Sequence, residues 1–213
     1  MTLESFEDIE KVWGSHIPLL QAFLGIKQPR AAIECGCGHF STPRIARCVE
    51  QHFAIEHNPE WAKELIEKYP QAEWRGEYLP ETGAQPFTEA DMQRCCELYD
   101  RYQGSLPPVD LLFVDTVPRA RTTALYYLRD KADYILLHDT DPESWLHYGY
   151  PAFLRSDYHH YQLQPRGKVN GHKIEWTSLF CQEELDLSQW RGVIDPYAKD
   201  LWGFSAPFVE VTT

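Results

Sequence analysis

The chain has no uninterrupted apolar run of the 18 or more residues that a transmembrane helix needs, so a membrane-spanning role is not expected. Basic residues are scarce relative to acids, 20 Lys and Arg against 32 Asp and Glu, which leaves a formal charge of −12. Such a field repels phosphate backbones and anionic lipid, so neither nucleic acid nor a membrane surface is the expected partner. The first residues, Met-Thr-Leu-Glu-Ser-Phe-Glu-Asp, lack the apolar stretch of a secretory leader, so a cytoplasmic setting is expected. The six cysteines, Cys35, Cys37, Cys48, Cys95, Cys96 and Cys181, are then expected as reduced thiols. Zinc spacing is missing too. Cys35-X-Cys37 falls short of the usual C-x(2–4)-C pair, Cys95 and Cys96 are adjacent, and no partner pair follows. No internal repeat or low-complexity tract is present, and 213 residues suit one domain with a proper core.

What the chain does have is a run at 31–42, Ala-Ala-Ile-Glu-Cys-Gly-Cys-Gly-His-Phe-Ser-Thr, in which a short apolar strand ends in an acid and meets a Gly-X-Gly turn. Gly36 and Gly38 permit backbone angles closed to other residues and let main-chain N–H groups approach a ligand. A second apolar run, Phe53-Ala54-Ile55, ends in Glu56, 18 residues after Gly38. A nucleoside-binding α/β fold places there the carboxylate that grips ribose hydroxyls. The third glycine of G-x-G-x-x-G is absent, since His39-Phe40-Ser41-Thr42 follows Gly38, and this argues against NAD.

Glu34-Cys35-Gly36-Cys37-Gly38 with Glu56 resembles the class I S-adenosylmethionine-dependent methyltransferases, over roughly residues 31 to 141. The resemblance implies a Rossmann-like fold that binds S-adenosylmethionine through Glu34, Gly36, Cys37, Gly38, Ser41, Glu56 and Asp115. Elsewhere the pattern agrees with an α/β, doubly wound, mostly parallel sheet. Strands are expected near 31–34, 53–56, 72–78, 110–115 and 134–138, with helices near 42–51, 60–69, 91–102 and 121–130 between them. The run Asp110-Leu-Leu-Phe-Val-Asp115 reads as a strand buried on both faces. Residues 80–90 read as a loop. Two further strands, 158–164 and 173–180, fit a C-terminal antiparallel edge hairpin. One domain is expected, with residues 1–28 as a helical cap broken near Gly14 and Pro18, 29–141 as cofactor core, and 142–213 as acceptor side and hairpin.

Ligands of open parallel sheets lie beyond the carboxyl ends of the strands. Those ends here are Glu34, Glu56, Asp115 and the group His138-Asp139-Thr140-Asp141. His138 is the expected base, with Asp139 to orient it or act directly; capping of the next helix by Asp139 or Asp141 is the competing use. Arg119, Asp141 and His16 are expected on the substrate side. Arg121 suits either an anionic substrate or an ion pair with nearby acids. By resemblance to O-methyltransferases of this fold, Asp115 and Asp139 could hold Mg²⁺, although Thr140 stands where those enzymes often have Asn. The helical stripe Trp61, Leu65, Tyr69 reads as core. Trp145, Tyr148, Tyr150, Phe153, Tyr158 and Tyr161 would wall an acceptor pocket or a homodimer contact. The expected activity is methyl transfer to a small-molecule acceptor, O-methylation ahead of N-methylation. Two other readings remain open, a cofactor-binding interaction protein without turnover and a nucleotide- or NAD-linked enzyme on a related fold.

Overall fold

The computed structural model of the chain describes residues 6–76, 88–169 and 171–211. Two helices, α1 (Phe6–Trp13) and α2 (Ile17–Lys27), lead into an alternation of β1 (Ala31–Cys35), α3 (Thr42–Cys48), β2 (Gln51–Ile55), α4 (Pro59–Lys68), β3 (Glu73–Arg75), α5 (Glu89–Ser105), β4 (Val109–Val114), α6 (Pro118–Leu128) and β5 (Ala132–His138). After it come α7 (Pro142–His147), β6 (His159–Leu163), a small hairpin of β7 (Lys168–Val169) and β8 (His172–Lys173), β9 (Thr177–Cys181), α8 (Leu187–Trp202) and β10 (Phe208–Glu210). The loop expected over 80–90 lies outside the described residues up to position 87.

Local chemistry explains where the helices begin. Asn58 accepts from the amides of Glu60 and Trp61 ahead of Pro59, and Thr88 forms a reciprocal capping box with Asp91 at the head of α5. The break at Gly14 separates α1 from α2, and Pro18 falls in the first turn of α2, where its missing N–H costs nothing.

The strands order as β10-β6-β9-β5-β4-β1-β2-β3. β3, β2, β1, β4 and β5 run parallel, and the order reverses between β1 and β4, which opens a crevice at their carboxyl ends. β6 and β9 form the expected antiparallel pair, and β9, the later of the two, is the one paired with β5. The outer edge is then closed by β10 against β6, an element not foreseen from the sequence.

Side chains alternate into two cores. Leu111 and Phe113 of β4 join the cluster beneath α2 and α8, while Leu112 and Val114 join that beneath α5 and α6. Most of the late aromatics are spent here: Tyr150 and Tyr161 are fully buried, and Trp145 stacks on His160 and Phe180. Tyr148 differs, lying under the Arg121 guanidinium at 5.3 Å.

Candidate active site

The glycine loop is held from behind by acids. Gly36 has φ +84°, and a Cβ there would stand 2.3 Å from the Asp115 carbonyl oxygen, so the loop can cross β4 only as glycine. Gly38 N donates to Thr42 Oγ1 (2.9 Å), whose hydroxyl donates to Glu34 Oε1 (3.1 Å), while His52 Nε2 lies 2.8 Å from Glu34 Oε2. Glu34 is thus fully buried with both oxygens engaged, and it orients the loop through Thr42. Glu56 accepts from Cys37 N (2.9 Å) and Asn58 N (2.8 Å), which ties the loop to the end of β2. Burial pushes the Glu56 carboxyl above its ordinary pKa, against the pull of those amides.

In front of the loop lies a cleft of about 420 Å³ lined by Trp13, His16, the chain from Gly36 to Ser41, Trp61 and Asp115. At Gly38 a Cβ would meet nothing closer than Ser41 Oγ at 3.9 Å, so the missing side chain leaves room beside the loop. Trp61 Nε1 donates to Cys37 O (2.6 Å), and Trp13 stands 63 % exposed at the rim. A second cleft of about 400 Å³ adjoins Glu56, His57, Pro59, Ala62 and Lys63.

Asp115 is the hub of a buried ionic cluster. Its Oδ1 accepts from Arg121 Nη2 (2.8 Å) and lies 3.0 Å from His138 Nδ1, and its Oδ2 lies 3.9 Å from His16 Nδ1. Arg121 also donates to Asp139 Oδ2 (2.6 Å) and to Thr116 O (2.5 Å). His138 Nδ1 is 3.3 Å from Asp139 Oδ1, and its Nε2 is 2.6 Å from Ser15 Oγ. Asp139 has φ +53°, an uncommon angle for a side chain bearing a Cβ, and it turns the carboxylate back toward the guanidinium.

Environment separates the two histidines. Burial alone would lower the pKa of His138, but Asp115 and Asp139 push it up to about 9. Burial first, and the His138 charge second, pull His16 down to about 3. Asp115 loses solvent to burial, yet His138 and Arg121 hold it well below the usual carboxylate range. At neutral pH the cluster therefore carries an imidazolium at His138 and a neutral imidazole at His16.

The structure brings His16, Gly36, Cys37, Gly38, Ser41 and Asp115 to one cleft, with Glu56 at its neighbour. His138 and Asp139 stand behind Asp115, with His138 Nε2 against Ser15 and Nδ1, which makes no hydrogen bond, within ion-pair distance of both carboxylates. Asp141 turns inward: it caps α7 by accepting from the amides of Glu143 and Ser144, takes Lys173 Nζ at 2.8 Å, and is 1 % exposed. All of these bonds go to Oδ1, and Asp141 does not line the cleft. Arg119 falls in the first turn of α6, and its side chain lies outside the described residues. The Asp115–Asp139 pair does not suit Mg²⁺, because the Arg121 guanidinium donates to both carboxylates and occupies the place between them. Trp61 packs against the small core cluster that includes Leu65, as its helical spacing predicts, and it also lines the cleft.

No protein-family model and no curated protein matches the sequence. Solved structures do. An O-methyltransferase from Bacillus cereus in complex with SAH is 13 % identical with a TM-score of 0.55, covering 78 % of this chain and 80 % of that one. An rRNA methylase from Streptococcus thermophilus is 10 % identical with a TM-score of 0.54, covering 78 % and 94 %. The N-methyltransferase NodS from Bradyrhizobium japonicum, in complex with S-adenosyl-L-homocysteine, is 13 % identical with a TM-score of 0.50, covering 76 % and 83 %. Together with the parallel β3-β2-β1-β4-β5 core and the antiparallel β9 beside β5, these likenesses give the chain the Rossmann-like fold of the class I S-adenosylmethionine-dependent methyltransferases.

Proposed function

We propose that the chain is an enzyme that transfers a methyl group from S-adenosylmethionine to a small-molecule acceptor, oxygen in preference to nitrogen. The observation that carries this reading is the single cleft at the switch point of the sheet, where the glycine loop, Asp115 and a neutral, buried His16 face one space. Gly36, Cys37, Gly38 and Ser41 would hold the cofactor against the loop, and Glu56, at the end of β2, would accept from its ribose. When bound, the cofactor supplies an activated methyl group together with its leaving group.

The rest is left to this chain. Asp115, kept ionised by Arg121 and His138, sets a negative charge in the cleft that favours a cationic sulfonium. His138 and Asp139 act through Asp115 as positioning residues, fixing its carboxylate and its charge. His16 presents a neutral imidazole, which suits an acceptor hydroxyl that must give up a proton. The preference for a small acceptor rests on the charge of −12 and on a cleft walled by Trp13 and Trp61.

Calorimetric titration with S-adenosylmethionine and S-adenosylhomocysteine, with NAD as control, tests the reading. Micromolar binding of the first two alone is expected, followed by label transfer from methyl-labelled cofactor to hydroxylated acceptors in preference to amines or RNA. Absence of binding to either sulfur nucleoside would sink it. Glu56→Ala is expected to weaken S-adenosylhomocysteine binding by about 1 to 3 kcal/mol, the scale of a lost charged hydrogen-bond partner. Glu56→Gln, which keeps one acceptor oxygen, should lose less; equal affinity in all three proteins would place the ribose elsewhere.

A further inference from the structure

We propose that His16, Asp115 and His138 form a site for one divalent transition metal ion of the zinc, cobalt(II) and iron(II) class, bound by two imidazoles and a carboxylate with its open side toward the cleft. One ligand atom from each residue lies within 4.8 Å of the others. The separations from the Asp115 carboxylate are 3.0 Å from Oδ1 to His138 Nδ1 and 3.9 Å from Oδ2 to His16 Nδ1. Bonds of about 2.0 to 2.2 Å to such an ion place neighbouring ligand atoms roughly 3.0 to 3.6 Å apart. His138 already stands at that spacing from Oδ1, and the set closes on an ion when the carboxylate presents one oxygen to both rings and His16, in the turn between α1 and α2, moves inward.

An independent observation points to a ligand at this place. His16 is 2 % exposed, and neither ring nitrogen has a hydrogen-bond partner. An imidazole shut away from water with both nitrogens idle forfeits hydrogen bonds that a different residue would not need. Nor is it spent on the helix. His16 occupies the N-cap position of α2, yet its side chain makes no capping bond, although Ser, Asn or Asp is the residue that position favours. What the ring does have is edge-on packing against Phe113 and His138, with Asp115 on one side and the cleft on the other.

The surroundings are those of a supported metal ligand. Ser15 Oγ lies 2.6 Å from His138 Nε2, which fixes the ring and turns Nδ1 toward Asp115. Arg121 pins Asp115 from behind and is balanced in charge by Asp139. Two nitrogens and one oxygen select a borderline transition metal over Mg²⁺, which favours oxygen ligands. An imidazole binds a metal as the neutral ring, so an ion at His138 Nδ1 releases any proton held there. Taken with the proposed methyl transfer, on which only its purpose rests, the ion would take over from His16 the activation of an acceptor hydroxyl, binding it at the cleft and lowering its pKa.

The test uses tag-free chain dialysed against chelator and titrated with Co²⁺. One equivalent should develop the visible absorption of a protein-bound, low-coordinate cobalt ion, lost on addition of Zn²⁺ and retained in excess Mg²⁺. His16→Ala should weaken Co²⁺ binding by at least about 100-fold, more than the loss of an outer-shell partner, whereas His147→Ala, on the exposed face of α7, should match the parent. Circular dichroism and urea denaturation of His16→Ala report whether that variant still folds. Absence of a stoichiometric cobalt signal, or an unchanged signal in a folded His16→Ala, overturns the site. Titrating S-adenosylhomocysteine into the metal-free chain separates the two ideas: binding there with no cobalt signal removes the metal alone, while a cobalt signal without nucleoside binding removes the methyl-transfer reading alone.

Discussion

Arg121→Leu is expected to cost about 3 to 5 kcal/mol of folding stability, the penalty for removing one partner of a buried ionic cluster. The guanidinium is 7 % exposed as a residue and donates to Asp115, Asp139 and the Thr116 carbonyl. Leucine would fill much of the volume but leave two carboxylates with only His138 beside both of them among the described residues. Arg121→Lys keeps the charge but not the fork, so it should fall between the two. Adding Asp139→Asn to Arg121→Leu removes one uncompensated charge and should recover part of the loss. Urea denaturation of the four proteins decides the matter. A loss below about 1 kcal/mol, the range of exposed ion pairs, would mean that solvent reaches the cluster.

That cluster also marks the limit of what the sequence discloses. The parallel core is legible because β4 is an unbroken apolar run and because strands and helices alternate at regular spacing, so burial and period agree at every step. The acids at the strand ends are legible because topology alone places them on one side of the sheet. Their use is not, since it depends on contacts far apart in the chain. Ser15 meets His138 across 123 positions, and Arg121 joins Asp115 to Asp139, a bond the sequence offers only as one of two options. Glu34 and Glu56 end similar strands, yet Glu34 is sealed behind Thr42 and His52 while Glu56 remains partly accessible at the neighbouring cleft. Asp141 has good cap chemistry and good ligand chemistry at once, and the three-dimensional fold chose the cap. At the far edge, α8 has Pro196 inside it and β10 is three residues long, so neither carries a strong periodic signal.

The two histidines of the cluster are expected to give stability opposite pH dependences on either side of their ordinary pKa of 6.5. His138 is raised to about 9 in the folded chain, so its contribution is fully present below 6.5 and is lost as pH climbs through 9. A shift of that size corresponds to about 3 kcal/mol at most. His16 is lowered to about 3, so below 6.5 the unfolded chain takes up a proton that the folded chain refuses, and stability falls as pH falls toward 3. Glu175, raised to about 7 by burial and by Asp141, contributes stability that is lost as pH rises through that value, and it therefore blurs the acid limb and the neutral region. Buried Cys35 and Cys37, raised by burial, add losses only where free thiols ionise, near pH 9 and above. The cleanest window is therefore pH 7.5 to 8.5, below most of the thiol ionisation, read by chemical denaturation of the parent and of His138→Gln. In this window the parent should lose stability steadily and His138→Gln should run nearly flat, because glutamine can bond Ser15 or Asp115 but cannot carry the charge that the two carboxylates reward. Parallel slopes in the two proteins would mean that the imidazolium between Asp115 and Asp139 does not form, and that the proton assigned to His138 belongs elsewhere.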